Sequence, residues 1–215
     1  MTRKILLICG ILSSLLYVAM NIFVPPQFEG YSAASQTVSE LSAIGAPTRP
    51  IWVPWGVVYT LLFTAFGFGV RMSANQNDRL RIIGNLIIIY GVISVAWPLA
   101  PMHLRGAEFA FTDAMHITLG IITILLMLII IALGAAALGK RFRLYSILTI
   151  VIFIAFGTLT GIDSPGIAKN QPTPWIGVWE RINIGTFMLW IIILGIMLLQ
   201  TADLQLQKRR NIIVS

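Results

Sequence analysis

Charged side chains are scarce in this chain: of 215 residues, 15 are Lys or Arg and 8 are Asp or Glu, 11% in all. A soluble domain carries roughly twice that fraction, so too few polar side chains are present to cover a water-exposed surface. Cysteine is scarcer still. Cys9 stands alone, which excludes a disulfide within the chain. With only His103 and His116, a three-histidine zinc site is also excluded. The sequence has no P-loop, no G-x-S-x-G, no H-E-x-x-H and no C-x-x-C. No metal or cofactor is therefore expected. No polar stretch is long enough to form a second folded unit, so residues 1–215 are read as one membrane domain.

What the chain has in abundance is apolar sequence: 57% of its residues are hydrophobic and its mean hydropathy is +0.87. The apolar residues fall into six runs, about Ile5–Val24, Trp52–Met72, Leu80–Ala100, Ala114–Leu138, Leu144–Gly161 and Ile182–Gln200. Each is near the roughly 20 residues that cross a hydrocarbon core as a helix. None alternates as a strand does, and lipid admits only helices or closed barrels. The expectation is an all-α bundle of six transmembrane helices. Arg3 and Lys4 precede the first run as in a secretory signal, but the run is long and no small-x-small site follows, so it reads as a retained helix.

The charge of +7 invites a nucleic-acid partner, yet the basic residues sit at the ends of apolar runs rather than in a stripe with aromatics, so none is expected. Arg3, Lys4, Arg71, Arg79, Arg81, Lys140, Arg141, Arg143, Lys208, Arg209 and Arg210 fall on one side of the predicted bundle. Only Arg49, Arg105, Lys169 and Arg181 fall on the other. The positive-inside rule places both termini in the cytoplasm and the protein in the inner (plasma) membrane as a multi-pass chain. Trp52, Trp55, Trp97, Trp175 and Trp179 then mark the outer interface, whereas Trp190 lies mid-helix and is expected to pack.

Most acids and both histidines lie at the outer end, so a site is sought there. Asp113 and His116 open the fourth helix at spacing three and share a face. A carboxylate that orients an imidazole gives a general base or a ligand group; the plain alternative is an acid favouring the helix dipole. Glu180 and Arg181 open the sixth run, as an ion-pair network or as a grip on an anionic head group. Glu40 closes Thr37-Val-Ser-Glu40, a capping-box pattern, ahead of Leu41 and Ile44 at helical spacing, with Gly45 and Pro47 as a stop. A short helix ending near Gly45 is expected. Asp163 reads as a turn acid or a pocket acid, and His103 as a neighbour of either. Asn21 and Asn85 are expected to hydrogen-bond between helices.

The run Tyr31-Ser-Ala-Ala-Ser-Gln-Thr-Val-Ser-Glu-Leu-Ser-Ala-Ile-Gly-Ala-Pro-Thr-Arg-Pro resembles the prokaryotic membrane family known as domain of unknown function 998. So do Pro101-Met-His103, Thr112-Asp-Ala-Met-His116, Lys140-Arg-Phe-Arg-Leu-Tyr and Pro172-Thr-Pro-Trp-Ile-Gly-Val-Trp-Glu-Arg-Ile-Asn183. The resemblance implies a six-helix inner-membrane protein and brings no activity with it. The functional expectation is a polar pocket open to the outer side, lined by Asp113, His116, Glu180 and Arg181, with His103, Asp163 and Glu40 as further ligand candidates. Its partners would be membrane lipids or a small molecule. Two alternatives belong to other classes. A membrane hydrolase would use Asp113 and His116. A transporter would need ion-coupling charges that the helix centres do not offer. Oligomeric state is not legible.

Overall fold

The computed structural model describes the backbone of residues 1–214 and the side chains of residues 1–201. Lys208, Arg209 and Arg210, counted above for charge asymmetry, lie outside the described side chains. The helices are α1 (Thr2–Phe23), α2 (Arg49–Met72), α3 (Asp78–Ser94), α4 (Phe111–Ala137), α5 (Lys140–Asp163), a short α6 (Pro165–Ala168) and α7 (Ile176–Val214). All but α6 are long and apolar enough to cross a membrane, six spans in total. No strand forms among the described residues; an isolated bridge joins Ile44 to His103.

Several helices begin before the apolar runs do: α4 at Phe111, α5 at Lys140 and α7 at Ile176. Hydropathy registers only side chains that favour lipid, while backbone hydrogen bonding continues through the polar interface. α3 departs the other way. It ends at Ser94 and yields to a 3₁₀ turn, Trp97–Leu99. Pro98 lacks an N–H and disfavours α geometry at the residue before it.

Each long helix packs against its neighbours in the chain, and α1 closes on α7. The result is a ring. α1 is part of it, with Leu7, Ser13 and Ser14 fully buried. Six spans return the chain to the side on which it began. That terminal face carries the short α2–α3 and α4–α5 turns. There Arg79 and Arg143 donate to the carbonyls of Ala136 and Ala135 at 2.7 and 3.1 Å, placing cations on the open C-terminus of α4. The opposite face carries the three long connections, 24–48, 95–110 and 164–175.

Six helices in a ring, with axes roughly 8–10 Å apart between neighbours, leave a centre for side chains to fill. From mid-depth towards the terminal face aromatics fill it. Phe63 lies 4.9 Å from Tyr90 and 6.1 Å from Phe187 between ring centroids. Phe187 stacks on Trp190, whose Nε1 donates to Ser146 Oγ at 2.9 Å. Trp190 is fully buried, as its mid-helix position implied. Glycines let some helix pairs approach closely: a Cβ on Gly84 would come within 2.6 Å of the Arg71 backbone nitrogen, and one on Gly69 within 2.9 Å of the Leu6 backbone. Asn21 corrects an expectation. Its amide nitrogen donates to the Tyr17 carbonyl one turn back at 3.0 Å, within α1 rather than between helices.

Candidate functional site

The 24–48 connection folds over the long-loop face. Thr37 and Glu40 form the reciprocal pair that the sequence pattern implies: the Thr37 N–H donates to Glu40 Oε2 at 2.7 Å, and the Glu40 N–H to Thr37 Oγ1 at 3.3 Å. The element they open is a single 3₁₀ turn, Ser39–Ser42, shorter than the expected helix. At Ala43 the backbone turns extended, and the Ile44 N–H donates to the Met102 carbonyl at 2.8 Å. Val38 and Leu41 are buried against Met20, Val24 and Trp52, while Ile44 is exposed.

Glu40 does more than cap. Its side chain is wholly buried and receives both arms of Arg105, Nε to Oε1 at 2.8 Å and Nη2 to Oε2 at 2.9 Å. Arg105 also donates to the Ser35 carbonyl at 3.0 Å and to Thr173 Oγ1 at 3.2 Å. One guanidinium thus ties all three long connections together. Burial pushes the Glu40 carboxyl up, but the hydrogen bonds from Arg105 and the Thr37 N–H, with the Arg105 charge, hold it below the usual 4.5. Arg105 is held above its ordinary value by the Glu40 hydrogen bond, against desolvation.

Arg181 departs from expectation. Among the described residues it forms no ion pair. Its Nη1 donates to the carbonyls of Ala33, Gln36 and Gly177 at 2.8, 3.1 and 3.1 Å, and Nη2 donates to the Tyr31 hydroxyl at 2.6 Å. Tyr31 donates in turn to the Thr37 carbonyl at 2.7 Å. Burial, opposed by Arg181, pushes its phenol up to about 12, so it remains a donor at neutral pH. Glu180 accepts the Val38 N–H instead of meeting Arg181. Backbone dipoles, not acids, surround this cation.

The Asp113–His116 pairing is also corrected. Asp113 lies in the first turn of α4, where its Oδ2 accepts the unpaired N–H of Ala110 at 2.9 Å. That draws the carboxylate towards the preceding loop, where it meets His103: the backbone N–H at 2.7 Å and Nδ1 at 2.8 Å. His116 is held elsewhere. Its Nδ1 bonds the Ala100 carbonyl at 2.8 Å, and its ring stands edge-on to Trp97 at 4.9 Å. The carbonyl and the ionised carboxylate can only accept, so each Nδ1 carries its proton and, in the neutral ring, each Nε2 presents a lone pair.

His103, Asp113, His116 and Glu180 all line one cavity of about 810 Å³. It runs from the long-loop face between α2, α3, α4, α5 and α7. Along α2 it extends from Arg49 to Leu61, about 18 Å at 1.5 Å per residue, and Phe63 and Phe187 lie just beneath. Its walls are mainly apolar. Glu40, Arg181 and Asp163 are not among its lining residues. Asp163 ends α5 beside the cavity-lining Ser164. No group of three His, Cys, Asp or Glu side chains converges as metal ligands among the described residues.

The sequence reading gave no site role to three sets of residues. Arg105 was one cation among several. Ser94 and Asn183 line the cavity, are 4% and 7% exposed, and leave Oγ and Oδ1 buried without a hydrogen-bond partner among the described residues. Gly56, Gly120 and Gly161 also line it, and a Cβ on any of them would meet nothing within 4 Å.

The chain belongs to the family described as "Protein of unknown function (DUF998)", whose model matches residues 11–197. No curated protein and no solved structure matches it.

Removing one partner of a buried ion pair costs about 3–5 kcal/mol, because the other charge remains desolvated. Arg105→Ala is therefore expected to lower the thermal unfolding temperature of the purified protein markedly; an unchanged temperature would show that the clamp is idle. Glu40 is depressed in the folded state. Its contribution is complete above the usual carboxylate range and is lost as pH falls through its folded value, below 4.5. The Arg105→Ala deficit should accordingly be full at pH 7 and shrink in strong acid.

Proposed function

We propose that this protein holds one amphipathic molecule in the cavity, with its apolar body among α2, α4 and α5 and its polar end near His103, His116 and Glu180. The glycines carry this reading. Small residues in membrane helices usually serve close helix contact, as Gly69 and Gly84 do. Gly56, Gly120 and Gly161 line the cavity, and an added Cβ on any of them has nothing within 4 Å. A side chain there would occupy volume that the fold leaves vacant. The cavity's size suits a small ligand; such sites span roughly 300–1,000 Å³. Leu61, Ile117 and Ile121 belong to its walls and are 65%, 54% and 55% exposed. The walls therefore grade into the apolar flank of the bundle, a lateral path for a hydrocarbon chain.

The accompanying orientation has both termini in the cytoplasm and the cavity opening to the outer side of the plasma membrane. Arg71, Arg79, Arg81, Lys140, Arg141 and Arg143, gathered at the terminal face, support it.

The Asp113–His103 pair favours a second reading, hydrolysis of an ester-bearing amphiphile. His103 Nε2 would take a proton from water as its oxygen attacks the ester carbon. Asp113 would stabilise the imidazolium, which then returns the proton to the departing alkoxide, giving an acid and an alcohol.

Native mass spectrometry of protein extracted from membranes should find a co-purifying amphiphile. Gly120→Trp should abolish it at unchanged thermal stability, whereas Gly84→Val should lower stability by separating α2 from α3. Equal retention in Gly120→Trp would sink the binding proposal. An impermeant maleimide should label Lys169→Cys in intact cells; if it labels Asn75→Cys instead, the orientation is inverted. Purified protein should cleave a long-chain nitrophenyl ester, with Asp113→Asn slowing it at least tenfold, if the hydrolytic reading holds. Absence of turnover above the lipid blank rejects that reading alone.

A further inference from the structure

Several acceptors in the cavity lack a partner among the described residues, as do the hydroxyls of Ser94 and Tyr59, which can donate or accept. His116 and His103 each use Nδ1 within the protein and, among the described residues, leave Nε2 without a partner. Glu180 places Oε2 on the Val38 N–H and leaves Oε1 unpaired among the described residues. Asn183, one turn further along α7, buries Oδ1 with no donor among the described residues, and Ser94 likewise buries a hydroxyl without a partner. Burying polar atoms in this way is costly unless something supplies the missing bond.

The arginines show the opposite pattern. Arg49 is committed to the carbonyls of Ser42 and Pro98. Arg105 is neutralised by Glu40 and also held by Ser35 and Thr173. Arg181 lies outside the cavity lining, surrounded by carbonyls. Lys169 lines the cavity at its exposed rim. A phosphate or carboxylate that passed the Lys169 ammonium at the rim would meet the Glu180 and Asp113 carboxylates further in, where among the described residues the lining arginines are already committed.

We infer that the cavity selects an amphiphile whose head group donates hydrogen bonds and carries no negative charge, a hydroxyl or an amine, received by His103, His116, Glu180 and Asn183. This rests on the binding reading above and specifies its ligand class. Glu180 adds an attraction for a protonated amine that a hydroxyl does not feel.

Three probes sharing one apolar chain separate the cases: oleyl alcohol, oleylamine and oleate, titrated at pH 8 into the full-length protein in phosphatidylcholine nanodiscs. Binding is read by native mass spectrometry and thermal shift. The alcohol and the amine should each bind at least tenfold tighter than oleate. Glu180→Gln should reduce the preference for amine over alcohol at least fivefold. The wild-type ranking stands on its own if that variant does not fold. Oleate binding as tightly as the alcohol or tighter overturns the head-group inference and leaves the binding reading in place. If none of the three binds and Gly120→Trp retains the same co-purifying species as wild type, the binding reading itself falls.

Discussion

Glu40 can be ionised and fully buried because Arg105 meets it with two hydrogen bonds and the Thr37 N–H adds a third, and much of the long-loop face depends on that pairing. Arg105 stands in the α3–α4 connection, Glu40 in the α1–α2 connection, and Thr173, which shares the same guanidinium, in the segment before α7. Around this point the main chain is fastened further, by the Ile44–Met102 bond and by Gly177 and Val178 donating to the Ala34 carbonyl. A Cβ on Gly177 would collide with the carbonyls of Ala33 and Gln36, so the first connection lies directly on the start of α7. The histidines are fixed within this framework: His103 by the bridge at Ile44 and by Asp113, His116 by a carbonyl that the broken end of α3 exposes.

The bundle was legible in the sequence because lipid imposes a simple rule. Runs long enough to cross and poor in charge must be helices, and the structure has all six of them. The ends were less legible. Pro98 shortened α3, and polar residues hid the first turns of α5 and α7. The Thr37–Glu40 pattern correctly announced its reciprocal hydrogen bonds, but spacing alone could not show that the same carboxylate meets an arginine 65 residues further on.

The site was partly legible, for a related reason. Looking for acids and histidines near helix entrances found four residues that line the cavity. Pairing them by helical spacing failed, because an acid in the first turn is drawn to the unpaired N–H groups behind it and so reached His103 rather than His116. Arg181 was expected to seek an acid, but main-chain carbonyls of a folded loop can surround a cation equally well. The glycines were the least readable. Gly84 and Gly120 are indistinguishable as letters in apolar runs, although one permits contact between helices and the other leaves a space empty.

The aromatic floor gives the molecule a direction. Phe63, Phe187 and Trp190 close the centre below the cavity, and Trp190 is locked to Ser146 on α5. These packed rings lie between the cavity and the terminal face, so a path from one face of the bundle to the other would need them to part. If the proposed ligand binds in the cavity, it is held on one side of the bilayer.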